Sequence, residues 1–182
     1  MRLFIALEFD ERTKGRLMDE MLRLKNFART GNFTKRENLH LTVKFLGEAE
    51  ESKITEIARA MERAAAGIPT MELEMASFGS FPSGTDGRRL YWRGVNPSPE
   101  LLKLYERVCR ETEKLGFKSE KRGYTPHVTL IRNCKMSFIF REQDFARGLS
   151  AIPFKGDRLC LMKSERQAGK LVYRDLYTVS IN

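Results

Sequence analysis

Cysteine and histidine are scarce in this chain, and each scarcity removes a class of explanation. The three cysteines, Cys109, Cys134 and Cys160, are odd in number, far apart and never spaced C-x-x-C, so neither a disulfide framework nor a zinc site is expected. Two histidines with no neighbouring cluster of Cys or carboxylates are too few ligands for a transition metal, and no metal and no cofactor is expected. No run approaches the roughly 18 apolar residues that cross a bilayer. The apolar opening Met1 to Leu7 is cut off by Glu8, Asp10 and Glu11, too short and too acidic for a signal peptide, so the chain reads as cytoplasmic with no membrane partner. No Pro-, Gly- or Ser-rich linker divides it, and no sustained apolar surface stripe is left over, which points to a monomer.

What is present describes a folded, basic protein. An apolar fraction of 41% with 31% charged residues is ordinary for a globular chain of 182 residues, and the formal charge of +9 favours a polyanionic partner, nucleic acid or phosphate. Residues 2–9 read as a strand. Asp10 then caps a helix over 11–28 with Leu17, Met18, Met21 and Leu22 on its apolar stripe. After a polar loop containing Gly31, a strand over Asn38 to Leu46 is followed by a helix over 53–66, capped by Ser52 and stopped by Gly67, and by a strand near 70–79. In the second half Arg89-Leu90-Tyr91-Trp92 opens a strand, and Ser98 with Pro99 starts a helix that ends near Leu115 and Gly116. A further strand follows Pro126, then a short helix at 142–148. Two strands, Phe154 to Ser164 and Leu171 to Ile181, turn at Gln167-Ala168-Gly169.

Both histidines stand in the same sentence, His40-Leu41-Thr42-Val43 and His127-Val128-Thr129-Leu130, 87 positions apart. Arg2-Leu3-Phe4-Ile5 and Arg89-Leu90-Tyr91-Trp92 share that offset, which argues for an internal duplication of about 1–86 and 87–182. The expected class is α+β. Two lobes related by a pseudo-two-fold, each a mostly antiparallel sheet with outer helices, would enclose a central cleft in one bilobal unit spanning 1–182.

In a strand, residues i and i+2 share a face, so His40 with Thr42, and His127 with Thr129, present matched polar pairs. A pseudo-two-fold makes them face one another. One neutral imidazole then takes a proton from attacking water while the other, as imidazolium, protonates a leaving ribose oxygen, and the threonine hydroxyls donate to non-bridging phosphate oxygens. A lone strand histidine is more often structural; the matched pair is what argues for catalysis. Arg132, Lys44 and Arg122 are candidate sources of positive charge, although Arg132, five residues past His127, faces away in a regular strand unless a bulge intervenes, and Lys44 reads as a solvated rim residue. Of Tyr91, Trp92, Phe45, Phe78 and Tyr124, core packing suits most, and Tyr124 is the best candidate to stack a base. Lys118, Lys121 and Arg122 form a basic cluster that could attract RNA.

Asn38-Leu39-His40-Leu41-Thr42-Val43-Lys44-Phe45-Leu46-Gly47-Glu48 and Thr125-Pro126-His127-Val128-Thr129-Leu130-Ile131-Arg132 resemble the two signature motifs of the 2H phosphoesterases. Within that superfamily the chain is most similar to the RNA 2′,3′-cyclic phosphodiesterases formerly described as 2′-5′ RNA ligases, with Ser164 and Tyr173 also in familiar places. The resemblance implies a bilobal fold and metal-independent opening of a 2′,3′-cyclic phosphate on RNA or a nucleotide to a 2′-phosphomonoester. It implies His40 as general acid, His127 as general base and Arg132 as a substrate contact. The residues alone do not divide the acid and base roles. They also leave open 2′-5′ RNA joining at the same site, or a non-catalytic RNA-binding module.

Overall fold

In a computed structural model, which describes residues 1–84, 86–118 and 123–182, most element boundaries follow from local chemistry. After β1 (Arg2–Glu8), the Asp10 carboxylate accepts from the Thr13 amide at 2.6 Å and starts α1 (Glu11–Lys25). Ser98 Oγ accepts from the Leu101 amide at 3.1 Å, with Pro99 in the first turn, to start α3 (Pro99–Glu113). Gly67 and Gly116 adopt left-handed φ values of 69° and 92° just past two helices, as their stop role requires. Ser52 is not a cap: a 3₁₀ turn over Glu51–Lys53 precedes α2 (Ile54–Ala65), and the Ser52 hydroxyl instead donates to Glu50.

Two antiparallel sheets result. One has the order β3-β1-β8-β9, with β3 (His40–Glu48), β8 (Arg158–Gln167) and β9 (Lys170–Ser180). The other runs β2-β6-β5-β4-β7, with β2 (Ala28–Phe33), β6 (His127–Met136), β5 (Arg89–Val95), β4 (Met71–Pro82) and β7 (Ile152–Gly156). The expected α+β class with two lobes is what forms. Two expectations are corrected. The supposed polar loop around Gly31 is β2, whose Ala-Arg-Thr-Gly-Asn-Phe sequence lacks strand alternation but satisfies its backbone against β6. The supposed single strand from Phe154 is two elements, broken at Asp157, so that β7 joins one sheet and β8 the other.

The lobes are not the halves of the chain. The first half contributes β2 and β4 to the second sheet, and the second half contributes β8 and β9 to the first. The helices cross likewise: α1 lies against β2, β6 and β7, whereas α2 and α3 pack together over β3, β8 and β9, with α4 (Glu142–Arg147) on β4. Strand pairing sets His40 opposite Glu8 and His127 opposite Gly94. The histidines are therefore 87 positions apart but their partners 86, so the equivalence of β1 and β5 departs by one residue from the ungapped offset in the sequence. A one-residue slip inverts every side chain of a strand, and only the 86 offset keeps the cleft faces matched.

One buried apolar cluster links both sheets, with Leu3, Ile5, Leu41 and Leu161 on one side and Leu73, Val128, Leu130 and Phe154 on the other. Arg93, 1% exposed, donates to the carbonyls of Met75 and Ser150 at 2.8 Å and pairs with the buried Glu20 of α1 at 3.4 Å, tying that helix across the second sheet. No helix among the described residues is long and apolar enough to cross a membrane.

Candidate active site

Each histidine opens its strand, and each is held the same way. His40 Nδ1 lies 2.7 Å from the carbonyl oxygen of Asn38, and His127 Nδ1 lies 2.8 Å from that of Thr125. A carbonyl only accepts, so Nδ1 carries the proton in both rings and Nε2 is the nitrogen that exchanges protons. Aromatic rings fix the imidazole planes. Phe4 and Tyr173 lie 4.9 and 5.2 Å from His40, and Phe81 and Trp92 lie 5.3 and 6.3 Å from His127.

The alternation that carries the motifs breaks at the same place in both strands. Val43 and Lys44 are both buried, as are Leu130 and Ile131, and the pairing skips a residue at each point. These are β-bulges three and four residues past each histidine. The bulge in β6 returns Arg132 to the face of His127 and Thr129, which a regular strand forbids. Its counterpart in β3 brings Phe45 to the face of His40, leaving the ring 49% exposed where core packing was expected.

A single cavity of about 530 Å³ is lined by His40, Thr42, His127, Thr129 and Arg132 together. Residues the sequence reading passed over share it: Lys35, Asn133, Arg166 and Lys170, and Tyr173 without an assigned role. Asn38 is the least visible of them. Its buried side-chain amide donates to the Leu171 carbonyl at 3.0 Å and its Oδ1 accepts from the Tyr173 amide at 3.2 Å, so the residue whose carbonyl orients His40 also locks β9 beside it. A polar residue two before a strand histidine was the only available signal.

Burial lowers the pKa of His40 from 6.5 to about 4, with the positive charges of Arg132 and His127 adding to the effect and the Asn38 hydrogen bond opposing it. The ring is neutral near pH 7. Thr42 Oγ1, 2.9 Å from Nε2, then donates to it. The Thr129 hydroxyl makes no hydrogen bond among the described residues, while Thr34 Oγ1 donates to the Thr129 carbonyl at 2.8 Å and fixes the strand there.

Two sequence candidates lie outside this cavity. Tyr124 lies outside the 530 Å³ cavity: its hydroxyl donates to the Thr42 carbonyl at 3.1 Å and its ring stacks on Tyr105 at 4.1 Å, so the phenol braces β3 and one ring face is already covered. Lys44 is buried by its bulge, its ammonium donating to the Lys118 carbonyl at 3.2 Å, and is no rim residue. Lys121 and Arg122 fall outside the described residues. Cys134 and Cys160 are buried and pushed up to about 11, protonated thiols without nucleophilic character near neutrality. Among the described residues one group, Glu8 with Cys160 and Asp175, has metal-ligand spacing, but it lies outside this cavity and Glu8 is already paired with Arg158 at 2.9 Å.

Comparison with known proteins gives consistent likenesses. The profile of the 2'-5' RNA ligase superfamily matches residues 16–168. The RNA 2',3'-cyclic phosphodiesterase of Thermotoga maritima is 35% identical over 72% of this chain and 70% of its own, and that of Methanocaldococcus jannaschii 32% identical over 72% and 71%. The fold is shared with a Thermus thermophilus protein at a TM-score of 0.79 and 22% identity, covering 100% of this chain and 98% of the other. Escherichia coli LigT complexed with 3'-AMP superposes at a TM-score of 0.76 and 22% identity, over 99% and 97% of the two chains.

Proposed function

The chain belongs to the 2'-5' RNA ligase superfamily, and we propose that it is an RNA 2′,3′-cyclic phosphodiesterase that opens its substrate with His40 and His127 and without a metal ion. The observation that carries the reading is the twin tether. Two imidazoles, each with Nδ1 donated to the carbonyl two residues earlier, line one cavity with two threonines and an arginine. The named activity of the relatives at 35% and 32% identity supports the substrate class.

In the proposed reaction His127 Nε2 takes a proton from water as its oxygen attacks phosphorus. The bond from phosphorus to O3′ breaks, and O3′ receives the proton of His40 Nε2. The product is a 2′-phosphomonoester, and proton exchange with solvent resets both rings. The division of roles follows the resemblance of the motifs. His40 is neutral in the free protein, so its use as an acid requires the bound phosphate: an anion in the cavity favours the imidazolium against burial and the charge of Arg132 and raises its pKa from the free-protein value. Arg132 supplies fixed positive charge and the threonine hydroxyls supply donors where charge builds on the non-bridging oxygens. Metal independence draws support from the lining, which among the described residues includes no Asp, Glu or Cys.

The test is turnover of adenosine 2′,3′-cyclic phosphate, with product regiochemistry read by phosphorus NMR. His40→Ala and His127→Ala should each lower kcat by at least about 10²-fold, while a chelator leaves the rate unchanged. Abolition of turnover by the chelator, or undiminished turnover in a variant lacking both histidines, overturns the mechanism.

A further inference from the structure

The end of β6 and the turn after it read Lys135-Met136-Ser137-Phe138-Ile139-Phe140-Arg141, with a cation at each end, no acid, and four large apolar side chains between. Folding leaves the apex of this segment in water. Phe138 is 88% exposed and Ile139 59%, whereas the Phe140 ring turns inward to lie 5.5 Å from that of Phe27. The apex is fixed by hydrogen bonds on both sides. The Phe140 amide donates to the Ser137 carbonyl at 3.1 Å, the Ser137 amide to the Phe27 carbonyl at 2.7 Å, and the Arg141 guanidinium to the carbonyls of Phe138 and Phe140 at 2.7 and 3.2 Å. Two adjacent apolar side chains projected from a preformed tip gain free energy when covered, with little ordering cost to meet first.

The unbalanced charge around the tip is positive. Arg23 and Arg141 line a cavity of about 400 Å³ shared with Ile139, and Arg29 follows Ala28, which pairs with Met136 at the base of the tip. None of these three guanidiniums has a carboxylate within ion-pair distance among the described residues. The acids beside them are already engaged, Asp144 with Arg147 at 3.2 Å and Asp86 with Arg88 at 2.9 Å and Lys135 at 3.4 Å. A second copy of the chain would bring the same cations face to face, so the patch suits an anionic partner instead.

We propose that this tip docks the protein on the surface of a bilayer rich in anionic phospholipid, with Phe138 and Ile139 entering the boundary between headgroups and acyl chains and Arg23, Arg29 and Arg141 engaging lipid phosphates. Lying on a membrane in this way needs no spanning helix; it needs an apolar projection flanked by cations. β6 carries His127 at its first residue and Met136 at its last, so the tip stands about 30 Å along the strand from that imidazole, and docking leaves the cleft open. The docking does not depend on the phosphodiesterase reading.

The test is sedimentation of the intact protein with vesicles of phosphatidylcholine alone and of phosphatidylcholine containing about one-third phosphatidylserine. The anionic vesicles should take up at least about tenfold more protein, and added salt should weaken the uptake. A net charge of +9 contributes to that attraction wherever it sits, so the deciding comparison keeps charge constant. Phe138→Ala combined with Ile139→Ala should lower uptake by about tenfold or more with an unchanged thermal midpoint, because both side chains are exposed. Phe138→Trp reports insertion: its emission should move to the blue when anionic vesicles are added and be quenched by lipids brominated on their acyl chains. Equal uptake of the unaltered and double-alanine proteins overturns the proposal, as does a Phe138→Trp emission that the vesicles leave unmoved. So does a protein that sediments as a dimer, ignores the vesicles and becomes monomeric in the double-alanine variant, since the tip then covers a second copy.

Discussion

His40 is where the construction of the cavity can be measured directly. Its ring is enclosed by Phe4 and Tyr173, and desolvation, helped by the nearby charges of Arg132 and His127, holds its pKa near 4 against an ordinary 6.5. The unfolded chain binds a proton here as pH falls through about 6.5, but the folded protein does so only near 4. Between those values the unfolded state carries more protons, so stability rises with pH. The stabilisation from a neutral His40 is complete above pH 6.5 and is lost as pH falls toward 4, and a shift of this size corresponds to about 3 kcal/mol. Urea denaturation of the protein and of His40→Gln across pH 4–7.5 isolates it, because carboxylate contributions cancel in the difference. The unaltered protein should lose about 3 kcal/mol more than the variant between pH 7 and 4. With only two histidines in the chain, NMR gives a second reading: the C2–H resonance that survives His127→Ala should still titrate well below 6.5, because burial is the main cause, and its pKa should rise when adenosine 2′-monophosphate is added. A pH-independent difference in stability, or a His40 titration near 6.5 in the free protein, refutes the reasoning.

Two further perturbations probe the surroundings. Thr129→Val removes a donor with no other partner among the described residues, and should lower kcat by about 10²-fold with little change in KM, measured on adenosine 2′,3′-cyclic phosphate. Arg93→Met removes the paired cation of the buried Glu20 carboxylate and two donors to the Met75 and Ser150 carbonyls, and should cost about 3–5 kcal/mol in denaturant unfolding, part of it regained when Glu20→Leu is added.

The sequence was most readable where chemistry is local. Asp10, Ser98, Pro99, Gly67 and Gly116 act within a turn of their own position, and helix ends placed from them stand within a few residues of the structure. The two motifs were readable for the same reason, since a strand's period of two puts His and Thr on one face whatever the strand pairs with. β2 was illegible because its six residues carry almost no apolar pattern; it is a strand only because β6 offers it an edge. Phe45 and Tyr124 are placed by neighbours that the residue types do not show. A bulge, invisible in the residue types, turned Phe45 toward the cleft, while Tyr105 from α3 covered a face of Tyr124.

Composition and motif fixed in advance that the chain is a basic α+β protein with two matched imidazole-threonine pairs, because charge, apolar periodicity and i, i+2 geometry are properties of residue order alone. Three-dimensional packing decided the rest: that strands and helices cross between lobes, that paired bulges rotate Arg132 and Phe45 into the cleft, and that His40 is held neutral. Each of these depends on groups dozens of positions distant, whose approach sets register, dielectric surroundings and local field together.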